Sequence, residues 1–380
     1  MRSVTVTVLL GVMFFACACA GWGQPTTPTG SLTLANLSPY TYLIGGLPLP
    51  PSGISLNILY DPTYVDHQHT TKPDLILELD AGAGWQLNYF YRNPDGSPYS
   101  GSSVAPTTFD QEEFWTDIGA RLGIAKNESE TGNLLELFGF YRLHFDRNFQ
   151  TPGTPVPLVF QSAFPDRVEI LSNAALFGVD YNCLEKRGSG PAQDGLYVEA
   201  SMEFGPRGPF NGDGEVDYYR LNATVEAFRT ICGLSCEGPS LYLADYASVD
   251  YAGGSSIPIY VFESIGGRYP RTSEASTVRG FETGSYGADF KALNNFEVRA
   301  SCQGGDFVPG CYGFFDSEYY NGYFEDPTNA PAGCLLSAGG GIFAGVAQFV
   351  TVTVYVAFPL VGQTISGEKA VLGGGFGLLF

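Results

Sequence analysis

Apolar and polar residues alternate along most of the chain from about Leu75 onward. In LILELDA, Leu77 and Leu79 fall on one face of an extended chain, while Glu78 and Asp80 fall on the other. The alternation continues in LLELFGFYRLHFD, YVEASMEF, YRLNATVEAF and VTVTVYVAF. Hydrophobicity with a period of two predicts β-strands whose two faces meet different surroundings.

The length of the alternating segments and the spacing between them favour a membrane barrel over a soluble sandwich. Each segment is about as long as a tilted strand must be to cross a bilayer. Long and short connections alternate, and many strands carry Arg or Glu in mid-strand, where a soluble sandwich seldom has them. Because lipid cannot hydrogen-bond an unpaired backbone group, the sheet must close on itself. We therefore predict an all-β fold, a transmembrane antiparallel β-barrel of about 16 strands.

The first residues are typical of an export signal. Arg2 precedes an apolar run over residues 4–18, and ACA at 18–20 is a small-x-small cleavage site. Cleavage after this site would remove the whole apolar run. Lipid attachment at Cys17 or Cys19 is the alternative processing route.

The chain divides into three parts. We assign residues 1–20 to the signal peptide, 21–51 to a Pro- and Thr-rich N-terminal segment, and 52–380 to the outer-membrane β-barrel. The middle part is too short for a separate folded domain. No apolar run after the signal reaches about 18 residues, so the sequence predicts no transmembrane helix.

The chain is strongly acidic, with a formal net charge of −20. Nucleic acid is therefore excluded as a partner, because its binding requires a cationic surface. The export signal and the barrel pattern together place the chain in the outer membrane of a bacterial cell. Its expected partners are outer-membrane lipid and the barrel-assembly machinery that inserts it.

Four cysteines form two local pairs. Cys232 and Cys236 flank one turn, and Cys302 and Cys311 flank another. Export permits disulfides, so both pairs are candidate disulfides. Zinc binding is the rival interpretation, and it is disfavoured because the CxxxC pair lacks a partner CxxC and the histidines lie far away in sequence.

Motifs for catalysis or metal binding are missing. The chain has no GxSxG motif and no nucleophile, base and acid set. His67 and His69, with Asp66 beside them, lack a third ligand, and the acids between Asn211 and Asp217 lack EF-hand spacing. We predict no enzymatic activity, no metal site and no cofactor.

One long loop carries a short motif followed at once by a strand. The loop contains IPIYVFESIGGRYPRTSEASTVRGF, and FKALNNFEVRA follows it. The motif consists of Val278, Arg279, Gly280 and Phe281. The next segment, YGFFDSEYYNG, places Asp316 after two phenylalanines, and the chain reaches Phe380 in a strand-like segment. These features together resemble the bacterial surface antigen family, which contains outer-membrane insertases and two-partner-secretion transporters.

The resemblance implies roles for the loop and strand residues. In that family the loop arginine folds into the lumen from the extracellular side and pairs with a strand acid. This implies that Arg279 pairs with Asp316, with Glu297 as the competing acid. Gly280 would allow a tight turn and Phe281 would wedge against the barrel wall.

The resemblance also implies a role for the C-terminus. Phe376, Leu378 and Phe380 align on the last strand and would form the C-terminal assembly signal. With Phe380 at the periplasmic end, counting strands backwards puts the loop of Arg279 outside the cell and both cysteine turns in the periplasm.

The resemblance implies a function in outer-membrane protein assembly or protein translocation. Members usually carry periplasmic polypeptide-transport-associated (POTRA) domains ahead of the barrel, and this chain has no room for one. Client handling would then need a periplasmic adaptor or direct contact with a client protein. The alternative is a passive pore or structural barrel that keeps the family fold. An outer-membrane hydrolase is disfavoured by the missing catalytic set.

Overall fold

The computed structural model describes most of the chain after residue 30. The described residues are 31–40, 43–44, 47–48, 53–61, 75–90, 108–126, 133–149, 169–186, 193–208, 211, 216–233, 238–258, 260–261, 264–268, 278–281, 288–303, 307–321, 333–346, 350–362 and 369–378. The predicted signal peptide, Cys236 and Phe380 lie outside these residues, as do the side chains of Cys232, Phe376 and Leu378.

The described secondary structure is almost entirely β. The strands are β1 (Ser31–Tyr40), β2 (Leu43–Ile44), β3 (Leu47–Pro48), β4 (Gly53–Asp61), β5 (Leu75–Phe90), β6 (Thr108–Lys126), β7 (Asn133–Phe149), β8 (Glu169–Asn182), β9 (Glu185–Lys186), β10 (Gln193–Gly205), β11 (Asp217–Gly233), β12 (Gly238–Ser256), β13 (Phe290–Gln303), β14 (Phe307–Tyr320), β15 (Gly333–Val346), β16 (Val350–Val361) and β17 (Val371–Leu378). Among the described residues, no helix is both long enough and apolar enough to span a membrane.

Most strands belong to one antiparallel sheet, and their order across the sheet follows their order along the chain. The path runs β1-β4-β5-β6-β7-β8-β10-β11-β12-β13-β14-β15-β16-β17, and β9 beside β10 makes it 15-stranded. Strands β2 and β3 pair only with each other. The two ends of the path, β1 and β17, lie next to each other. The all-β antiparallel barrel is confirmed, whereas the expected number of about 16 strands is not.

The barrel sheet begins earlier than the sequence indicated. Strand β1 pairs with β4 from Ser31 opposite Asp61 to Tyr40 opposite Gly53. Strand β1 therefore lies inside the segment 21–51 that was set apart from the barrel. The period-two pattern is short there and is broken by a register shift between Leu34 and Asn36, so the sequence does not display it.

The two faces of the sheet are reversed relative to a soluble protein. On β7, Leu137 is 46% exposed, whereas its neighbour Glu136 is only 4% exposed. On β8, Phe177 is 60% exposed and Asp180 is 2% exposed. Apolar side chains point outward and charged side chains point into the lumen, as expected for a barrel surrounded by lipid.

The connections between strands differ at the two ends of the barrel. At one end they are long, and the connection between β12 and β13, residues 257–289, is the longest. At the other end they are short, as at residues 304–306 and 347–349. The described parts of the 257–289 connection are largely buried because they fold back into the lumen.

Candidate functional site

The motif 278–281 forms a tight turn inside the barrel. Gly280 has a φ of 96°, and the amide of Phe281 donates to the carbonyl oxygen of Val278 at 3.4 Å. A side-chain Cβ at Gly280 would lie 3.0 Å from the Cβ of Ala357 on β16. Glycine is needed here both for the left-handed backbone and for the close approach to the wall.

Arg279 is held by Asp316 of β14 through three hydrogen bonds. Its Nε donates to Oδ2 at 2.7 Å and its Nη2 donates to Oδ1 at 2.7 Å. The backbone amide of Arg279 also donates to Oδ2, at 3.1 Å. Asp316 is fully buried, so this two-pronged ion pair is shielded from solvent.

Glu297 of β13 does not compete with Asp316, because it binds the guanidinium nitrogen that Asp316 does not contact. Nη1 of Arg279 donates to Oε1 of Glu297 at 2.6 Å. The other carboxylate oxygen of Glu297 accepts a hydrogen bond from Nε of Arg299. The two acids and two arginines therefore form one chain of ion pairs across neighbouring strands. The resemblance presented the acids as alternatives, whereas the structure brings Arg279 together with both.

Aromatic and apolar side chains complete the surroundings of Arg279. The centre of its guanidinium lies 3.7 Å from the ring centroid of Phe314, which is a cation–π distance. Val278 and Phe281 pack in one buried cluster with Ile265, Leu293 and Leu335. Burial alone would lower the pKa of Arg279, but the hydrogen bonds and charge of Asp316 raise it above its ordinary value. The arginine therefore stays cationic.

A second arginine of the same connection, Arg268, contacts the opposite part of the wall. Its Nη2 lies 2.9 Å from Glu78 on β5, and its Nη1 lies 3.4 Å from Glu136 on β7 and 3.3 Å from Asp180 on β8. Its backbone amide donates to Glu199 of β10 at 2.8 Å. Residues 264–268, which we call the Arg268 segment, thus join four strands.

Arg142 of β7 fixes the backbone of the Arg268 segment. Its Nη2 donates to the carbonyl oxygens of Gly267 and Arg268 at 2.8 and 2.7 Å. Asp117 and Glu203 hold the other side of the guanidinium at 3.0 and 2.8 Å. The carbonyl groups of the loop lose their hydrogen bonds to water when the loop enters the lumen. Arg142 replaces those hydrogen bonds.

The start of the Arg268 segment is anchored in a similar way. The Arg220 guanidinium binds Asp250 at 2.9 Å and donates to Oγ of Ser264 at 3.0 Å. The amide of Gly266 donates to Asp250 at 2.9 Å. Ile265 packs in the same apolar cluster as Val278, so the two inward-folded pieces of the connection touch.

The Arg268 contacts were not predicted from the sequence. Gly266, Gly267 and Arg268 lie in the loop that carries the resemblance, which implies no partner for Arg268. The available signal was the set of charged residues on the inward strand faces, which includes Glu136, Arg142 and Glu199. Such acids and arginines in mid-strand indicate that buried ion pairs are needed, although they do not say which residues pair.

The Cys302–Cys311 disulfide is not present, and the expectation is corrected. Both residues are free cysteines, exposed on the outward face. Cys311 lies directly opposite Ala300, so Cys302 is only its diagonal neighbour across the β13–β14 ladder. Diagonal Cα atoms lie about 7–8 Å apart, beyond the normal reach of a disulfide. The Cys232–Cys236 pair lies outside the residues whose side chains are described.

Comparison with known proteins supports the architecture through structure alone. No protein-family model and no curated protein sequence matches the chain. The structure of BamA from Haemophilus ducreyi lacking POTRA domains 1–3 is similar with a TM-score of 0.52 and 13% identity, and the match covers 93% of this chain and 71% of that one.

A second similar structure is CdiB from Acinetobacter baumannii. It has a TM-score of 0.51 and 14% identity, and the match covers 94% of this chain but only 60% of CdiB. Identities this low establish the fold and leave activity open. The fold of this chain is therefore that of bacterial outer-membrane β-barrels such as BamA and CdiB, the class that its resemblance to the bacterial surface antigen family implied.

Proposed function

We propose that this chain takes part in outer-membrane protein assembly or protein translocation. The observation that carries the proposal is the Arg279 site: a loop arginine inside the lumen, bound to Asp316 and Glu297. This is the arrangement that the resemblance assigns to insertases and two-partner-secretion transporters. The similarity of the fold to BamA and CdiB supports it.

In this proposal the loop keeps the lumen in register while the barrel opens elsewhere. The natural place to open is between β1 and β17, because the described ladders contain no register pairs between these two strands. Strand β17 also contains four glycines among its eight residues, VLGGGFGL. Glycine orders and packs poorly in strands, so pairing along β17 is weak.

The alternative is a passive pore, and the inward-folded connection argues against it. The Arg268 segment and the motif 278–281 occupy lumen space between opposite walls, since Arg268 contacts β5, β7 and β8 while Arg279 contacts β13 and β14. Solute flow would require this connection to leave the lumen and break its buried ion pairs. That step is costly, because each unpaired charge would stay buried.

The first test is depletion of the protein, followed by quantitative proteomics of the outer membrane and of secreted proteins. Strains complemented with the wild-type chain, with Arg279→Ala and with Lys369→Ala are compared. Lys369 is an exposed cation in the connection before β17, so it controls for the simple loss of a positive charge. We expect specific envelope or secreted proteins to be lost on depletion and with Arg279→Ala, but not with Lys369→Ala.

If depletion leaves the abundance of all outer-membrane and secreted proteins unchanged, the assembly and transport proposal is contradicted. Single-channel conductance of the purified barrel then separates the remaining cases. Steady conductance that persists in the wild type would identify a pore. Bands of folded Arg279→Ala barrel on unheated gels must match the wild type, so that loss of function is not mistaken for loss of the protein.

A further inference from the structure

Three side chains with metal-binding atoms converge on the inner face of β6 and β7. They are Glu113, His144 and Asp146, and their ligand atoms all lie within 4.8 Å of one another. The side chains of His144 and Asp146 are 13% and 6% exposed, so the cluster is largely buried but still accessible to solvent. All three belong to strands of the barrel wall and not to the 257–289 connection.

Strand pairing brings these residues together. Glu113 lies directly opposite Asp146 in the β6–β7 ladder, and His144 precedes Asp146 by two residues on the same face. Two carboxylates directly opposite each other repel, which destabilises the pair unless a cation lies between them. The sequence predicted no metal site because Glu113 is far from His144 along the chain, and only the register reveals the cluster.

The imidazole of His144 is already oriented. Its Nε2 lies 2.8 Å from Oδ1 of Asp146, and its ring stacks on Tyr260 with centroids 3.8 Å apart and an angle of 17° between the planes. Tyr260 is fixed in turn, because its hydroxyl contacts Ser172 and Tyr218 at 3.1 and 3.0 Å. Nε2 therefore faces the carboxylate of Asp146, and the carboxylate of Glu113 lies within 4.8 Å of the other ligand atoms.

We propose that Glu113, His144 and Asp146 bind one divalent transition-metal ion of the zinc type. One imidazole nitrogen and two carboxylate oxygens are three typical zinc donors, and water can fill a fourth position. Zinc–ligand distances of about 2.0–2.2 Å require the donors to lie about 3–3.6 Å apart, which small side-chain rotations achieve from the present positions. Calcium and magnesium prefer sites built only from oxygen, so the imidazole selects against them.

Metal binding at this site requires Nε2 of His144 to carry no proton. Any proton on Nε2 of His144, including one shared with Asp146, has to leave before that nitrogen can bind the ion. The bound cation then supplies the positive charge between the two carboxylates. Because Tyr260 belongs to the 257–289 connection, the ion would also hold the ring against which this part of the connection stacks.

The test uses the full barrel, purified in detergent, with its thiols alkylated to remove cysteine as a donor. Zinc chloride is titrated against a chromophoric chelator, with the wild type, His144→Gln and a His67→Gln, His69→Gln double variant compared. We expect one equivalent of zinc to bind the wild type and the double variant. His144→Gln should weaken binding by more than the about 10- to 100-fold that loss of an outer partner typically costs.

A second measurement does not depend on any variant. Cobalt(II) bound to the wild-type barrel should give visible absorption bands typical of a low-coordinate nitrogen and oxygen site, and zinc but not magnesium should abolish them. The proposal fails if the wild type binds no zinc, or if His144→Gln binds as tightly as the wild type. It also fails if the cobalt spectrum is that of the hydrated ion.

Discussion

The Arg279 site and the Arg268 segment belong to the same connection but hold it to the barrel in different ways. All three guanidinium nitrogens of Arg279 donate hydrogen bonds to two acids on the neighbouring strands β13 and β14. Arg268 spreads its contacts over β5, β7 and β8, and some of these contacts reach 3.3–3.4 Å. One site is compact and directional, whereas the other is dispersed and shares its acids with Arg121.

This difference predicts how each site responds to the loss of one charge. A buried pair with few alternatives leaves an uncompensated charge when one partner is removed. A dispersed network can redistribute, because Arg121 stays 2.9 Å from Glu78 and 3.4 Å from Glu136. The compact site is therefore expected to be the more sensitive of the two, although it involves fewer residues.

Removal of Asp316 should have the largest effect. Asp316→Ala leaves the buried Arg279 with Glu297 alone, and we expect the free energy of unfolding to fall by about 3 kcal/mol. Urea unfolding of the barrel in lipid vesicles, followed by tryptophan fluorescence, measures this loss. Asp316→Asn keeps the shape and removes the charge, so it should lose nearly as much. A change within about 0.5 kcal/mol, as expected for the exposed Lys369→Ala, would contradict the prediction.

Removal of Arg268 should have an intermediate effect. We expect Arg268→Ala to lower the free energy of unfolding by about 2 kcal/mol, because Arg121 continues to compensate two of its acids. Hydrogen exchange should rise in residues 264–268 more than in 278–281. Arg268→Lys keeps the charge but not the planar fork, so it should recover only part of the protection. Equal exchange in both regions would mean that the two pieces open as one unit.

Substitution of Gly280 should have the smallest effect of the three. Gly280→Ala forces a side chain into a left-handed backbone conformation, and we expect a loss of about 1–2 kcal/mol in unfolding free energy. The matched control is Gly208→Ala, since Gly208 has a φ of 108° but no atom within 4 Å of an added Cβ. The control isolates backbone strain, so any larger loss at Gly280 measures its contact with Ala357. Equal losses would show that this contact is unimportant.

The faces of the strands could be predicted from the sequence because they depend only on neighbouring residues. The alternation in LLELFGFYRLHFD predicts opposite faces for Glu136 and Leu137, and the structure buries the first and exposes the second. Arg279 and its two acids could be named because the contiguous motif carries the resemblance to the bacterial surface antigen family, which implies this pairing. The partners of Arg279 all lie on β13 and β14, so this prediction does not depend on how the first half of the barrel is paired.

The Arg268 contacts and the Glu113, His144 and Asp146 cluster could not be predicted in this way. Both depend on the register between strands, which alternation alone does not specify, since a shift by two residues preserves every face. The same limit explains the corrected disulfide, because a register shift of two residues decides whether Cys311 faces Cys302 or Ala300. The early start of the sheet at Ser31 was missed because β1 is short and irregular in pattern.

The separation between Arg268 and Glu78 has a consequence for the order of folding. These two residues contact each other across 190 positions of the chain. Such a contact cannot form until strands from both halves have assembled, and closing so long a loop is entropically slow. The Arg279 contacts span only 37 and 18 positions. During biogenesis, the C-terminal hairpins can therefore capture Arg279 early, while the docking of Arg268 waits until the barrel wall is complete.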